Sequence, residues 1–187
     1  MLNALLVVAH PDDDAIFAGP LQIAQSWIKW QAVSVTHASG DLRAKEMRQW
    51  QNHLGCRQPL FLGFPDDPED LKRNRSSFHA NDVSSAICKL GLDADFVVTH
   101  DLGGEYGHPH HISTAFAVRQ AFGYLPLISF AHYRRDEDFR IEVPDFGRQA
   151  EEIYPSQRRV IRHLNKRIKC CRIGKYKTEN IKTTWLN

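Results

Sequence analysis

Hydrophobic residues fall along this chain in short blocks separated by polar turns, and two spacings alternate. Residues 5–8 and 96–99 are apolar runs bounded by turn residues, as expected of strands buried in a parallel sheet. Residues 32–36 alternate Val33 and Val35, and residues 59–63 and 125–132 complete a set of five expected strands, the first spanning residues 2–9. Between them, apolar residues recur at helical spacing. Leu21, Ala24, Trp27 and Ile28 predict a helix opened by Pro20 and running to about residue 29, after a turn over residues 12–19. Met47, Trp50 and Leu54 predict a second, stopped by Gly55. Val83, Ala86, Ile87 and Leu90 predict a third, capped by Asn81 or Asp82 and closed by Gly91. Ile112, Ala115, Phe116 and Val118 predict a fourth.

Strand and helix alternate through residue 132, which predicts an α/β fold: a three-layer α/β/α sandwich with a Rossmann-like, mostly parallel sheet, expected in the order 3-2-1-4-5. Residues 68–80 are polar and read as an irregular excursion. Residues 134–144 are charged and read as a hairpin or edge segment, and Ser156 begins a basic helix carrying Val160, Ile161, Leu164 and Ile168. No internal repeat is present.

At 187 residues the chain is expected to be a single domain. Its 42% apolar and 25% charged residues are ordinary for a water-soluble protein, no run reaches membrane-spanning length, and the first residues lack a signal-peptide pattern. A cytoplasmic protein is the expectation. Cys56, Cys88, Cys170 and Cys171 lack C-x-x-C spacing and are read as reduced thiols.

The net charge of +2 conceals an asymmetry. From Arg158 to Lys182 ten Lys or Arg stand against Glu179 alone, a local charge of +9, so the rest of the chain carries −7. Such a tail suits a phosphate, an acidic surface or a solvated helical face. Nucleic acid is disfavoured, because Tyr176 is the only aromatic before Trp185 and no stacking platform is apparent.

The chemistry concentrates in two stretches. His10-Pro11-Asp12-Asp13-Asp14 follows the first expected strand, and Glu105-Tyr106-Gly107-His108-Pro109-His110-His111 follows the fourth. Open α/β sheets place ligands at the carboxyl ends of strands flanking a topological switch point, and these two strands would be neighbours there. Imidazole and carboxylate are ordinary ligands of a divalent transition metal. His10-x-x-Asp13 can supply one nitrogen and one oxygen from a tight turn, and His108-x-x-His111 shares one face of a helix start. Each stretch alone could be a polar turn; together they read as two halves of one metal site.

These motifs resemble the zinc-dependent N-deacetylases of the PIG-L/LmbE family. Ala9-His10-Pro11-Asp12-Asp13 and Gly107-His108-Pro109-x-His111 carry the resemblance. Arg43-x-x-Glu46, Leu54-Gly55, Leu62-Gly63-Phe64-Pro65-Asp66 and Tyr154-Pro155-Ser156-Gln157 follow in the family's order. The resemblance implies Zn2+, or another divalent transition metal, held by His10, Asp13 and His111. It implies Asp12 as general base, His108 as the group that stabilises an oxyanion or protonates the leaving amine, and Tyr106 as a carbonyl-polarising residue. Arg43 and Asp66 would bind substrate, an N-acetylated amino sugar or sugar conjugate. Each has a structural alternative: Arg43 can pair with Glu46, Asp66 can cap a turn, and Tyr106 can pack on its loop. The family carries Glu at the position of Asp14, and Asp at that of His110, where it orients the catalytic histidine. His110 removes that carboxylate and is expected to lower the pKa of His108, with Glu105 a candidate substitute. The competing expectation is a non-catalytic α/β module that binds a sugar or nucleotide. A homo-oligomer completing the pocket is a further expectation.

Overall fold

A computed structural model describes residues 1–130, 137–143, 145–165 and 170–174 of the chain. In chain order the elements are β1 (Asn3–Val8), a π-helical turn (Asp14–Ala18), α1 (Gly19–Ala24), β2 (Lys29–Thr36), α2 (Leu42–His53) and β3 (Leu60–Phe64). Then come α3 (Pro68–Lys72), α4 (Ala80–Lys89), β4 (Phe96–Thr99), the short α5 (Gly104–Gly107), α6 (Pro109–Phe122) and β5 (Leu127–Ser129). β6 (Glu137–Glu142), α7 (Phe146–Ile153), a 3-10 turn (Pro155–Gln157), α8 (Arg158–Asn165) and β7 (Cys170–Gly174) follow.

The five principal strands form one parallel sheet in the order β3-β2-β1-β4-β5, as the sequence pattern predicts. β1 is central and almost wholly apolar because it is covered on both faces. Ala4, Leu6 and Val8 point into a core with Phe17, Leu21, Met47, Trp50, Phe146 and Ile161. Leu5 and Val7 point into the opposite core with Val83, Ile87, Val118 and Phe122. The alternation of β1 side chains between two helical layers is the three-layer sandwich itself.

Several local expectations are corrected. The first helix ends at Ala24 rather than near residue 29, because Lys29 and Trp30 already pair with Asn3 and Ala4 of β1. Sheet pairing and burial of the Trp30 ring outweigh the helical spacing of Trp27 and Ile28; Trp27 is left exposed. The expected turn over 12–19 is helical from Asp14, since Ala15, Ile16, Phe17 and Ala18 are all buried. Residues 68–72 form a helix whose cap is Asp67, its carboxylate accepting the Glu69 N–H at 2.9 Å. The helix after His108 turns Phe116 outward while burying Ala115 and Val118. β6 pairs antiparallel with β7 rather than forming a local hairpin, and β7 stands where a helical tail was expected. Residues 131–132 of the fifth expected strand, Leu164 and Ile168 of the expected helix, and most of the basic tail lie outside the described residues or side chains.

Gly19 allows the close approach of α1 to the C-terminal elements. A Cβ there would lie 2.4 Å from the Phe146 ring and 3.0 Å from Trp50.

Candidate metal and catalytic site

The two motifs meet at the carboxyl ends of β1 and β4, whose register pairs Val7 with Thr99. The turn after β1 is pinned from both neighbouring strands. Thr36 donates its N–H and its hydroxyl to the Ala9 carbonyl, at 2.9 and 2.8 Å, and the Ala9 N–H donates to His100 Nε2 at 3.0 Å. The His10 carbonyl then accepts from the Asp12 and Asp13 amides, and the His10 N–H donates to Asp13 Oδ2 at 2.8 Å. This tight turn places Asp13 Oδ2 3.1 Å from His10 Nδ1.

His111 completes the set from the first turn of α6, its Nε2 lying 3.4 Å from Asp13 Oδ2. One ligand atom from each of His10, Asp13 and His111 lies within 4.8 Å of the others. Tetrahedral zinc with bonds of about 2.0–2.1 Å separates its ligands by roughly 3.3–3.4 Å, so 3.1 and 3.4 Å suit such an ion. The chemistry of the set agrees: His111 Nε2 is fully buried and has no hydrogen-bond partner among the described residues. A buried ring nitrogen without a proton partner is costly unless something else takes its lone pair.

Glu105, expected beside His108, and His100, to which no role was assigned, hold this set in place. Glu105 is fully buried, and its Oε2 lies 2.5 Å from His111 Nδ1. Both of its oxygens lie 3.1 Å from His100 Nδ1, and Oε1 accepts the Asp101 N–H at 2.9 Å. The His100 ring stacks on His111 with centroids 3.9 Å apart. His100 therefore links Glu105 to the amide just before His10. Glu105 takes φ 51° and ψ −55°, a strained conformation for a residue with a Cβ. Burial opposes its ionisation, but His100 and His111 outweigh burial and hold it down at about 2. The expectation that Glu105 substitutes for the family's carboxylate beside His108 is thus corrected: it serves His111. The signal for His100 was its place at the carboxyl end of the fourth strand, the neighbour of the strand that leads into His10.

Asp12 is buried, and its Oδ1 accepts from Arg43 Nη2 at 2.6 Å. Burial raises its pKa, against the opposing charge of Arg43. Arg43 also approaches Asp66 Oδ2 at 3.5 Å and His37 Nε2 at 3.2 Å. Its alternative partner Glu46 is engaged elsewhere, accepting the Ser156 N–H at 2.9 Å and the Ser156 hydroxyl. Asp66 does not cap a turn; it faces His37, His10 and His110.

His108 stacks on His111 with centroids 4.4 Å apart and caps α6, its Nδ1 accepting the His110 N–H at 3.3 Å. Burial, then the neighbouring His111 and His10, lower it to about 2; His110 contributes in the expected direction but is not the main cause. The His110 ring turns away from that role. Its Nδ1 lies 3.0 Å from His10 Nε2 and 3.4 Å from Asp66 Oδ1, and its Nε2 receives the Ser77 N–H at 3.1 Å. Tyr106 is 46% exposed at the rim, its ring centroid 5.4 Å from that of His111 and 5.8 Å from that of His108. Beneath the site, Asp14 accepts from the Tyr154 hydroxyl at 2.7 Å, Gln51 Nε2 at 2.6 Å and the Ala15 N–H at 2.8 Å. The structure thus brings every expected site residue together at the carboxyl ends of β1 and β4.

Comparison with known proteins agrees with this geometry. The sequence profile of the PIG-L family, described as GlcNAc-PI de-N-acetylase, matches residues 5–122. N-acetylglucosaminyl-phosphatidylinositol de-N-acetylase from Bos taurus is 32% identical over 140 residues, 66% of this chain and 53% of that protein. 1D-myo-inositol 2-acetamido-2-deoxy-alpha-D-glucopyranoside deacetylase from Mycobacterium leprae is 28% identical over 150 residues, 63% of this chain and 49% of that one. The chain thus spans about half the length of the curated relatives it matches. The fold is that of the conserved protein TT1542 from Thermus thermophilus, with a TM-score of 0.70 at 18% identity and full coverage of both chains. With the profile matched over residues 5–122, from β1 through both motifs to the end of α6, this chain belongs to the PIG-L family.

Proposed function

We propose that this chain is a zinc-dependent hydrolase that removes the acetyl group from an N-acetylated amino sugar or sugar conjugate of the N-acetylglucosamine type. The observation that carries the reading is the buried His10–Asp13–His111 set, with its orphaned His111 nitrogen, directly beside Asp12 and His108. Relatives named as deacetylases of 2-acetamido sugars support the substrate class.

His10, Asp13 and His111 would hold the ion. When bound, zinc supplies a Lewis acid that polarises the amide carbonyl and acidifies water. Asp12, raised by burial, takes the proton from the attacking water, and Arg43 holds its carboxylate in place. His108 is neutral over the physiological range, and its Nδ1 is already occupied by the His110 N–H, so its proton sits on Nε2. It therefore acts as a neutral hydrogen-bond donor to the developing oxyanion, and protonated Asp12 returns the proton to the departing amine. Tyr106, at the rim, adds a second polarising group, and Arg43 and Asp66 engage substrate hydroxyls or a phosphate.

The domain is read as a single unit acting in the cytoplasm. No helix among the described residues is long and apolar enough to cross a membrane. The basic tail's phosphate or acidic-surface partner and a homo-oligomer belong to the same reading.

The test is zinc content and acetate release measured together on the wild type, His10→Ala and His111→Ala, with a panel of N-acetylglucosamine derivatives. Near-stoichiometric zinc and acetate in the wild type, both lost in the variants, is the expected result. Sugar binding that survives chelation, without acetate, would instead establish the non-catalytic module.

A further inference from the structure

Two parts of the sequence motifs take no part in the proposed chemistry: the glutamate of Arg43-x-x-Glu46, and Tyr154-Pro155-Ser156, which lies beyond the residues matched by the family profile. The structure joins them. Glu46 is buried, and each of its oxygens accepts from Ser156: Oε1 takes the N–H at 2.9 Å and Oε2 takes the hydroxyl. Two residues earlier, the Tyr154 hydroxyl donates to Asp14 Oδ1 at 2.7 Å, and Gln51 of α2 donates to Asp14 Oδ2 at 2.6 Å. Pro155 fixes its own φ between these two contacts, and the Gln157 N–H closes the turn on the Tyr154 carbonyl at 3.0 Å.

These contacts close a ring around the Asp12–Arg43 pair. It runs from Asp12 to Arg43, one turn along α2 to Glu46, across to Ser156, back along the chain to Tyr154, over to Asp14 and so to Asp12 again. The segment 154–156 thus ties the helix that carries Arg43 to the turn that carries Asp12. We propose that Ser156, acting through Glu46, is a positioning residue that holds Arg43 against the Asp12 carboxylate.

Three features support it. The first turn of α2 has no side-chain cap, because Asp41 Oδ2 is engaged by the Ala38 N–H at 3.0 Å and faces His37 Nδ1 at 3.2 Å, and Leu42 beside it is exposed. A helix start of this kind frays unless it is tied from outside, and Glu46 supplies a buried polar tie one turn from Arg43. Arg43 Nε is buried without a partner among the described residues, so the guanidinium is oriented by what its Nη atoms reach and by where its helix turn sits. A buried carboxylate is costly unless its oxygens are satisfied. Loss of the Ser156 hydroxyl leaves Glu46 Oε2 short of a donor and draws Glu46, with the turn that bears Arg43, toward another one. The placement of Arg43 stands on geometry alone; its effect on catalysis rests on the proposed hydrolase reading, through Asp12 as base.

The test follows the reaction of Arg43 with phenylglyoxal, an arginine-selective dicarbonyl, by peptide mass spectrometry on the full chain. Arg119 of α6 serves as internal reference. The wild type is compared with Ser156→Ala, Ser156→Thr and Glu46→Ala; Ser156 lies at the surface, so Ser156→Ala carries the test if Glu46→Ala misfolds by circular dichroism. In Ser156→Ala and Glu46→Ala, Arg43 should label several-fold faster with Arg119 unchanged, and Ser156→Thr, which keeps the hydroxyl, should match the wild type. Zinc content should stay at the wild-type level in Ser156→Ala while kcat for acetate release falls about tenfold. That loss should vanish in an Asp12→Asn background, because residues acting through one group are not additive. Unchanged Arg43 labelling in folded Ser156→Ala would overturn the proposal. An equal rise at Arg119, the mark of general loosening, would also overturn it, as would a kcat loss that persists in full in Asp12→Asn. No acetate from the wild type would remove the hydrolase reading, and the Arg43 labelling would still decide the positioning role.

Discussion

Glu105 Oε2 stands 2.5 Å from His111 Nδ1, and this contact decides which end of the His111 ring faces Asp13. With Nδ1–H donated to the carboxylate, Nε2 is left bare of a proton and directed at the metal set. Carboxylate–histidine pairs of this kind commonly contribute about 10–100-fold to metal affinity. Glu105→Gln should therefore weaken zinc binding by about that factor, measured by competition with a chromogenic chelator. Unchanged affinity would reduce Glu105 to a packing residue.

Asp12 is placed beside the ligand set without belonging to it, its Oδ1 bound to Arg43. Asp12→Asn should keep zinc near stoichiometric while lowering kcat by about 10²–10⁴. His108→Gln should also keep the metal but lower kcat without moving the acid limb of the pH profile, because the wild-type ring titrates only at about 2. An acid limb near pH 6 that vanishes in His108→Gln, about where an unperturbed imidazole titrates, would show that the ring works as an imidazolium.

Tyr154 reaches across 140 residues of sequence to donate its hydroxyl to Asp14 at 2.7 Å. Both are buried, so Tyr154→Phe leaves one carboxylate oxygen short of a donor at a cost of about 1–3 kcal/mol. Thermal unfolding should fall by several degrees. A Tm unchanged within a degree would mean that the pocket repacks or admits water.

Cys56 and Cys88 differ in reactivity for a structural reason. Burial, with the charge of Asp14, pushes the Cys56 thiol up to about 12, whereas Cys88 is exposed. At pH 8 only about one Cys56 in 10⁴ is thiolate, and that fraction rises roughly tenfold per pH unit until the pKa. A disulfide reagent at pH 8 should lose one fast-reacting thiol in Cys88→Ser and none in Cys56→Ser. Fast loss in Cys56→Ser would mean that this region opens readily.

The sheet was legible because its signal is local and repeated. Short apolar runs, spaced by amphipathic helices, allow few packings other than a parallel sheet covered on both faces, and β1 with Leu5, Leu6, Val7 and Val8 buried is its clearest case. The halves of the candidate metal site were legible too, since His10 and Asp13 share one turn and His108 and His111 share one helix start. What the sequence could not rank were long-range polar partners. Arg43 had Glu46 three residues away, yet pairs with Asp12 and Asp66, while Glu46 is taken by Ser156. Glu105 lay three residues from His108 but serves His111, and His110 turns to His10 and Asp66 rather than to its neighbour. Helix length at Ala24 was likewise settled by the pairing of Lys29 and Trp30 with β1. Hydrophobic periodicity is a property of consecutive residues, so sequence alone determined the layers and the two motifs, while the strand order was an expectation from the fold class that the pairing of separate segments then met. Which buried polar group satisfies which depends on where separate segments are brought together, and only the tertiary structure decided that.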